Sequence, residues 1–362
     1  MPKPFSRRSQ PRFIWWILIA YIVLQPIAPA VGGAQQLRGA DSVRLDEKEG
    51  RFISRASGLA VARGGSIFVA DNGNKAVLAY SPGGRFVRQF GKRGSGPGEL
   101  ESALQIALNG DTLLLVNNAA RLRIEAFGVR DGKYKWGVAL PRRPFSITSQ
   151  GGVLRGASIE MGKNASIVEV RTPTGKPSVF GPLPEMIQRF PILGGPFGTV
   201  VHDDRLDRIA AMFEVSDYVY VWRRNSERSD SILVKKVRRR GTRQDLLQAA
   251  GRDTSKGIDA LYKSSMPVAI GWLTDSSIAV VHSDVEYRGQ LFEGQFFLSI
   301  VNTRTRLSCA DLQLSVPRDP FPRFAFHGAA LYALVQHVPE DGDALAYVVR
   351  FPMPSTCAAR QR

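Results

Sequence analysis

Residues 58–100 read GLAVARGGSIFVADNGNKAVLAYSPGGRFVRQFGKRGSGPGEL. Four short apolar runs stand out: GLAVA, SIFVAD, AVLAYS and FVRQFG. Runs of this length, rich in β-branched and aromatic residues and bounded by Gly, Pro and Asn, read as β-strands. The separators are Arg63-Gly64-Gly65, Asn72-Gly73-Asn74 and Pro82-Gly83-Gly84. These are tight-turn chemistries that join antiparallel neighbours. Four antiparallel strands in about 40 residues is the size of one propeller blade.

Working outward, the same unit recurs with decay. A second blade is expected over Ser102 to Leu140, with DTLLLVN and RIEAFG as its middle strands. A third spans Phe145 to Leu183 (VLRGAS, SIVEVR) and a fourth Phe197 to Val237 (RIAAMFE, DYVYVW). A fifth spans Pro267 to Leu314 (SSIAVVH, QFFLSIVN) and a sixth Arg323 to Phe351 (ALYALVQ, ALAYVVRF). The sixth shows three strands only. SVRLDE, Ser42 to Glu47, precedes the first blade and can supply the missing outer strand, closing the ring and removing exposed edges. A seven-bladed ring and a β-sandwich are the rival folds; a unit of about 48 residues favours six.

The first unit resembles an NHL repeat. The marks are Val69-Ala70-Asp71, Asn72 and Asn74, Gly83-Gly84 as the hairpin turn, and Gly91 with Gly94-x-Gly96-Pro97-Gly98. Its closing GSGPGEL resembles a group of exported bacterial six-bladed propellers. The other five blades share pattern and spacing, without the Asp-x-Gly-Asn signature. The resemblance implies an all-β, six-bladed propeller of four-stranded antiparallel blades. It also implies protein-interaction or ligand-sensing roles carried by one face.

The N-terminus carries Lys3, Arg7, Arg8 and Arg12 before the apolar run from Phe13 to Leu24, then Pro26 and the small residues Ala28 to Ala34. This order reads as a secretory signal over residues 1–34, cleaved after Ala30 or Ala34. The alternative is an uncleaved anchor, the one route by which the sequence predicts membrane association. Residues 35–57 form an N-terminal segment with the ring-closing strand, 58–357 the propeller and 358–362 a tail. The chain is expected outside the cytoplasm, in the periplasm or beyond, as a monomer. Its charge is +17, and removing residues 1–34 leaves +13. That balance suits nucleic acid, anionic lipid, an acidic polymer or an anionic small molecule, or is a solvated basic surface. Arginines do not alternate with aromatics, so single-stranded nucleic acid is not the expected partner. Cys309 and Cys357 form no Cys-x-x-Cys pair; outside the cytoplasm they can form a disulfide or stay two thiols.

Alternation decides which loops share a face. With strands A to D numbered from the axis outward, the B–C loops and D-to-A connections lie on one face, here the connector face. The A–B and C–D turns lie on the other, the turn face. The B strands end at Asp71, Asn117, Ser158, Glu214, His282 and Gln336, with His337 adjacent. Two readings follow: polar residues that merely enter turns, or a polar ring around the channel mouth that binds a ligand. Such a ring could hold a divalent cation such as calcium. Arg143, Arg189 and Arg323 precede A strands and form a basic rim on the same face, with Arg238 to Arg240. Residues 238–265 interrupt the strand pattern. Thr242 with Asp245 and the apolar Leu246, Leu247, Ala250, Ile258, Leu261 and Tyr262 predict a short helical insertion, a lid, a partner surface or an inert excursion.

No Gly-x-Ser-x-Gly, His-Glu-x-x-His or Gly-x-x-x-x-Gly-Lys occurs. The glycine-rich GKRGSGPGEL joins two blades and opens no helix, so it reads as a fixed connection. The leading expectation is a non-catalytic binding or interaction module. The alternative is a divalent-cation-dependent lyase or lactonase-type propeller enzyme, with Glu214, Asn117, Asp71 and His282 as the residues carried over by type and place.

Overall fold

The computed structural model describes residues 36–47, 52–140, 146–150, 153–159, 166–171, 176–183, 198–203, 206–213, 216–223, 226, 228–234, 266–288, 291–316, 322–337 and 345–354. The expected signal segment 1–34 and insertion 238–265, with Glu214, Arg143, Arg189 and Cys357, lie outside them. So do the side chains of Ser158, His337 and Cys309.

The described strands form six sheets, each built on an antiparallel meander of consecutive strands, with a strand of the N-terminal segment added to two of them. Two strands of the N-terminal segment come first in the chain: β1 (Gln36–Leu37) and β2 (Asp41–Arg44). The first blade is β3 (Ala56–Val61), β4 (Ile67–Asp71), β5 (Ala76–Tyr80) and β6 (Phe86–Phe90). The second is β7 (Ile106–Asn109), β8 (Leu113–Asn118), β9 (Arg123–Gly128) and β10 (Tyr134–Ala139). The third is β11 (Ser146–Gln150), β12 (Val153–Ile159), β13 (Ser166–Arg171) and β14 (Lys176–Pro182). The fourth is β15 (Gly198–Asp203), β16 (Arg208–Phe213), β17 (Tyr218–Arg223) and β18 (Asp230–Leu233). The fifth is β19 (Met266–Thr274), β20 (Ser277–Arg288), β21 (Leu291–Asn302) and β22 (Leu307–Leu314). The sixth is β23 (Arg323–His327), β24 (Ala330–His337) and β25 (Leu345–Pro352).

The first strand of each blade touches the first strand of the next, from β3 through β7, β11, β15, β19 and β23 back to β3. The ring is therefore closed, with the A strands innermost. Middle strands are apolar on both sides because both faces of a blade are covered: β4, β5 and β16 are buried throughout. Cores lie between blades. Phe68, Val77 and Phe90 pack with Leu114, Val116 and Phe127 across the first boundary. Leu59, Val69 and Tyr80 pack with Leu334 and Val348 across the last. The indole of Trp222 donates to the Pro182 carbonyl at 3.2 Å, where Gly181 leaves room for its ring.

The N-terminal segment holds two blades. β1 pairs in parallel with β22 as a fifth strand of the fifth blade. β2 then pairs antiparallel with β25 as the outer strand of the sixth. Leu45 is buried in the core between the sixth and first blades, and its amide donates to the Ala346 carbonyl at 2.9 Å. The chain next meets the hairpin turn of the first blade, where the Asp46 amide donates to the Gly84 carbonyl at 2.8 Å. Gly84 has φ +81° and a Cβ there would strike the Arg44 carbonyl, so the second glycine of Pro82-Gly83-Gly84 is required twice over.

The fifth blade departs from the expected size. β20 and β21 pair over twelve residues, from Ser277↔Asn302 to Arg288↔Leu291. Their neighbours stop sooner: β19 begins opposite Ser283 and β22 ends opposite Phe296. Five pairs, Asp284↔Gln295 to Arg288↔Leu291, therefore overhang the sheet on the connector face with no described strand on either side. At roughly 3.3 Å per residue the ribbon extends about 17 Å past the blade. His282, expected at a strand end, consequently lies inside β20.

Candidate functional site

The connector face carries the polar strand ends, and most of those described are occupied. Asp71 closes β4 and is fully buried. Its Oδ1 accepts the amides of Arg55 (2.9 Å), Gly73 (2.9 Å) and Asn74 (3.3 Å). Its Oδ2 accepts the Ser54 amide (2.9 Å) and the Asn74 side chain (2.7 Å). One carboxylate thus gathers the B–C loop and the segment entering β3 onto one point. Asn118 does this for the second blade: its Oδ1 accepts the Glu101 and Ser102 amides at 3.3 and 3.1 Å, and its Nδ2 donates to the Glu99 carbonyl at 3.4 Å.

A second kind of clamp runs between blades. Gln336 accepts the Ala56 amide at 3.2 Å and donates to the Ile53 carbonyl at 2.9 Å, joining the sixth blade to the first. Arg323, from the expected rim, donates to the Ala56 carbonyl at 3.2 Å. Asn72 accepts the Ala103 amide at 3.2 Å, joining the first blade to the second, and Ser57 donates to the Ala103 carbonyl. Asn117 is buried and donates to Gln105 at 3.0 Å, beside the β7 entry. His282 is buried, its ring stacked on Phe297 at 5.6 Å between centroids. Asp71, Gln336 and Arg323 thus bind loop backbone, and Asn117 and His282 lie buried within their blades. The chain alone could not show Asn72, Gln105 and Asn118 as their partners in this work. The one hint was an Asn that stands again at a B-strand end of the second blade.

His202 is buried at the opposite end of the ring, 3.3 Å from Asp207. His327 ends β23. Among the described residues no three His, Cys, Asp or Glu side chains converge as metal ligands do, and no helix is long and apolar enough to cross a membrane.

The glycine-rich connection between the first two blades is a self-contained turn. Glu99 Oε2 accepts the Gly96 amide at 2.9 Å and Oε1 lies 3.2 Å from Lys92 Nζ. Those contacts, the amide first, hold the Glu99 carboxyl below its ordinary value. Gly98, at φ +75°, sits against the Tyr134 ring. The loop's own carboxylate therefore takes the amide a bound phosphate would need.

Beside the ring-closing strand, Glu47 accepts the Ile53 amide at 2.7 Å. Burial raises its carboxyl above the ordinary glutamate value, outweighing that hydrogen bond. Burial, with Glu47, Asp71 and Asp46 nearby, likewise pushes the Tyr80 hydroxyl up.

Comparison with known proteins agrees with this architecture. Residues 43–147 match the family DUF5128, described as a 6-bladed beta-propeller. This is the part of the chain with the clearest strand signals. A Bacteroides vulgatus member of the DUF4221 family superposes with a TM-score of 0.61 at 9% identity, covering 88% of this chain and 98% of its own. A Bacteroides fragilis protein whose description suggests export gives 0.55 at 11% identity, covering 86% and 94%. The WD40 repeats of RRP9 give 0.52 at 12% identity, covering 88% and 100%. No curated protein matches the chain. At these identities the likeness is one of fold, and by fold the chain is a six-bladed β-propeller of four-stranded antiparallel blades.

Proposed function

We propose that this propeller is an interaction module that works outside the cytoplasm and meets its partner on the connector face. The observation that carries the reading is the overhang of β20 and β21, five residue pairs beyond the blade on that face alone. The ribbon stands past the described ends of β19 and β22, and a strand edge of this kind is a template for a further extended segment. The polar strand ends support the same reading indirectly. Asp71, Asn118, Asn72 and Gln336 hold loops, so recognition falls to what stands above them. The basic leader followed by small residues supports export, as does the description of the Bacteroides fragilis propeller. The Val69-Ala70-Asp71 step and Gly83-Gly84 turn support an NHL-type ancestry for the first blade.

Site-specific photocrosslinking tests the face. A crosslinker at position 286 in the overhang should give discrete adducts in intact cells. One at position 64, in an A–B turn on the turn face, should not. Adducts from position 64 alone would refute the assignment.

A further inference from the structure

We infer that the loops of the first blade on the connector face form a contact for an anionic polysaccharide, a ligand separate from the extended segment that the β20–β21 edge would take. Two cations are held on the four-residue loop from Asn72 to Lys75, and a third residue, Arg55, lies beside it in the fold. Arg93, exposed, reaches back from the inter-blade connection and donates through Nη2 to the Gly73 carbonyl at 3.3 Å. Lys75, held at φ +58°, donates to Asn72 Oδ1 at 3.2 Å. Arg55, exposed, is tied to the same loop by its amide, which Asp71 Oδ1 accepts at 2.9 Å.

Asp71, the carboxylate of that loop, is buried and offsets only one of these three charges. Asp71 spends both oxygens on four amides and one carboxamide. Arg93 uses one of its five N–H groups in the contact given, and Lys75 one of three, so each has donors left for an anion. Anchoring Arg93 and Lys75 to the loop lowers the entropy lost when they engage a ligand. Beside them Phe52 is 52% exposed, and its carbonyl accepts the Asn74 side chain at 2.8 Å. An exposed phenyl ring on the segment bonded to that loop, with cations on the loop itself, suits a sugar ring carrying carboxylate or sulfate: the C–H face packs on the ring and the anion meets Arg and Lys. A single aromatic offers no run of stacking platforms for nucleic acid, and no apolar stripe for entering a bilayer.

The test uses the full chain and heparin as the probe, with uncharged dextran as the blank. One triple variant carries Arg55→Gln, Lys75→Gln and Arg93→Gln. The control carries Arg63→Gln, Arg85→Gln and Arg130→Gln, three exposed arginines of the turn face, and so has the same net charge. The first should lose at least tenfold more heparin affinity than the control. Its dependence of log affinity on log salt should flatten by about three, at roughly one per cation that meets an anion. Phe52→Ala should weaken binding severalfold without changing that slope. Arg93→Lys, which keeps the charge, should fall between wild type and the triple, guarding against a loop that has merely unfolded. Equal losses in the two triples would overturn the inference by showing charge alone at work. Tighter, equally sensitive binding to a single-stranded oligonucleotide or to anionic vesicles would overturn it in favour of those ligands. Either result leaves the crosslinking outcome for the connector face untouched, so the two readings fail separately.

Discussion

Replacing Asp71 with alanine tests whether the buried strand-end carboxylate is a structural clamp. The substitution removes the acceptor for four backbone amides and the Asn74 carboxamide, at 2.7 to 3.3 Å. Hydrogen bonds to a charged acceptor contribute about 1.5–3 kcal/mol each when the partner is left stranded. Ser54, Arg55 and Asn74 are exposed, however, and water can recover much of what their amides lose. A net cost of about 3–4 kcal/mol follows. Unfolding entropy is near 2.1 cal/mol/K per residue, so a ring of roughly 300 residues loses about 5 °C in Tm for that cost. Asn118→Ala removes two amide contacts, a long Ser102 hydroxyl contact and one donated bond, at 3.1 to 3.5 Å and to a neutral side chain, and should cost about half as much. Thermal melts by circular dichroism measure both. An Asp71→Ala melt within about 1 °C of wild type would refute the clamp and return Asp71 to the list of residues held ready for a ligand.

Gly84→Ala should destabilise by about 2 kcal/mol or more, from the left-handed backbone and the blocked Arg44 carbonyl. Gly83→Ala, whose Cβ meets nothing closer than Ser81 Oγ at 4.0 Å, should be near neutral; paired melts decide. Leu45→Ala empties a buried site in the core that closes the ring and should cost about 2–5 kcal/mol. Limited proteolysis should then cut first beside β2. The raised carboxyl of Glu47 makes the folded state favour the protonated form. Its contribution is full below the unfolded glutamate value and is lost as pH rises through the folded one. Glu47→Gln should therefore be more stable than wild type at pH 7, with the gap closing toward pH 4. A gap that widens on acidification would show the carboxylate to be stabilising instead.

The strand pattern of this chain is local information. Short apolar runs separated by turn residues define each blade within about 40 to 50 residues, most clearly in the first with its Gly-Gly and Asn-Gly turns, because a strand and its hairpin partner are set by neighbours in sequence. Residues 58–100 therefore predict the first blade to within a residue or two of β3 to β6 at each end. The candidate ring was legible only as a set of polar strand ends. What each one does depends on groups beyond its own hairpin: Gln336 meets the Ala56 amide 280 residues distant, and Asp71 meets the Ser54 amide just before β3. A polar residue at a strand end looks the same in sequence whether its lone pairs are filled by a loop or left for a ligand. The overhang of β20 and β21 was hidden for a related reason. It is defined by where the flanking strands β19 and β22 stop, and a strand carries no record of its neighbours' lengths. Sequence determined the blade and its repetition; closure of the ring decided which polar groups were consumed and which cations were left facing outward.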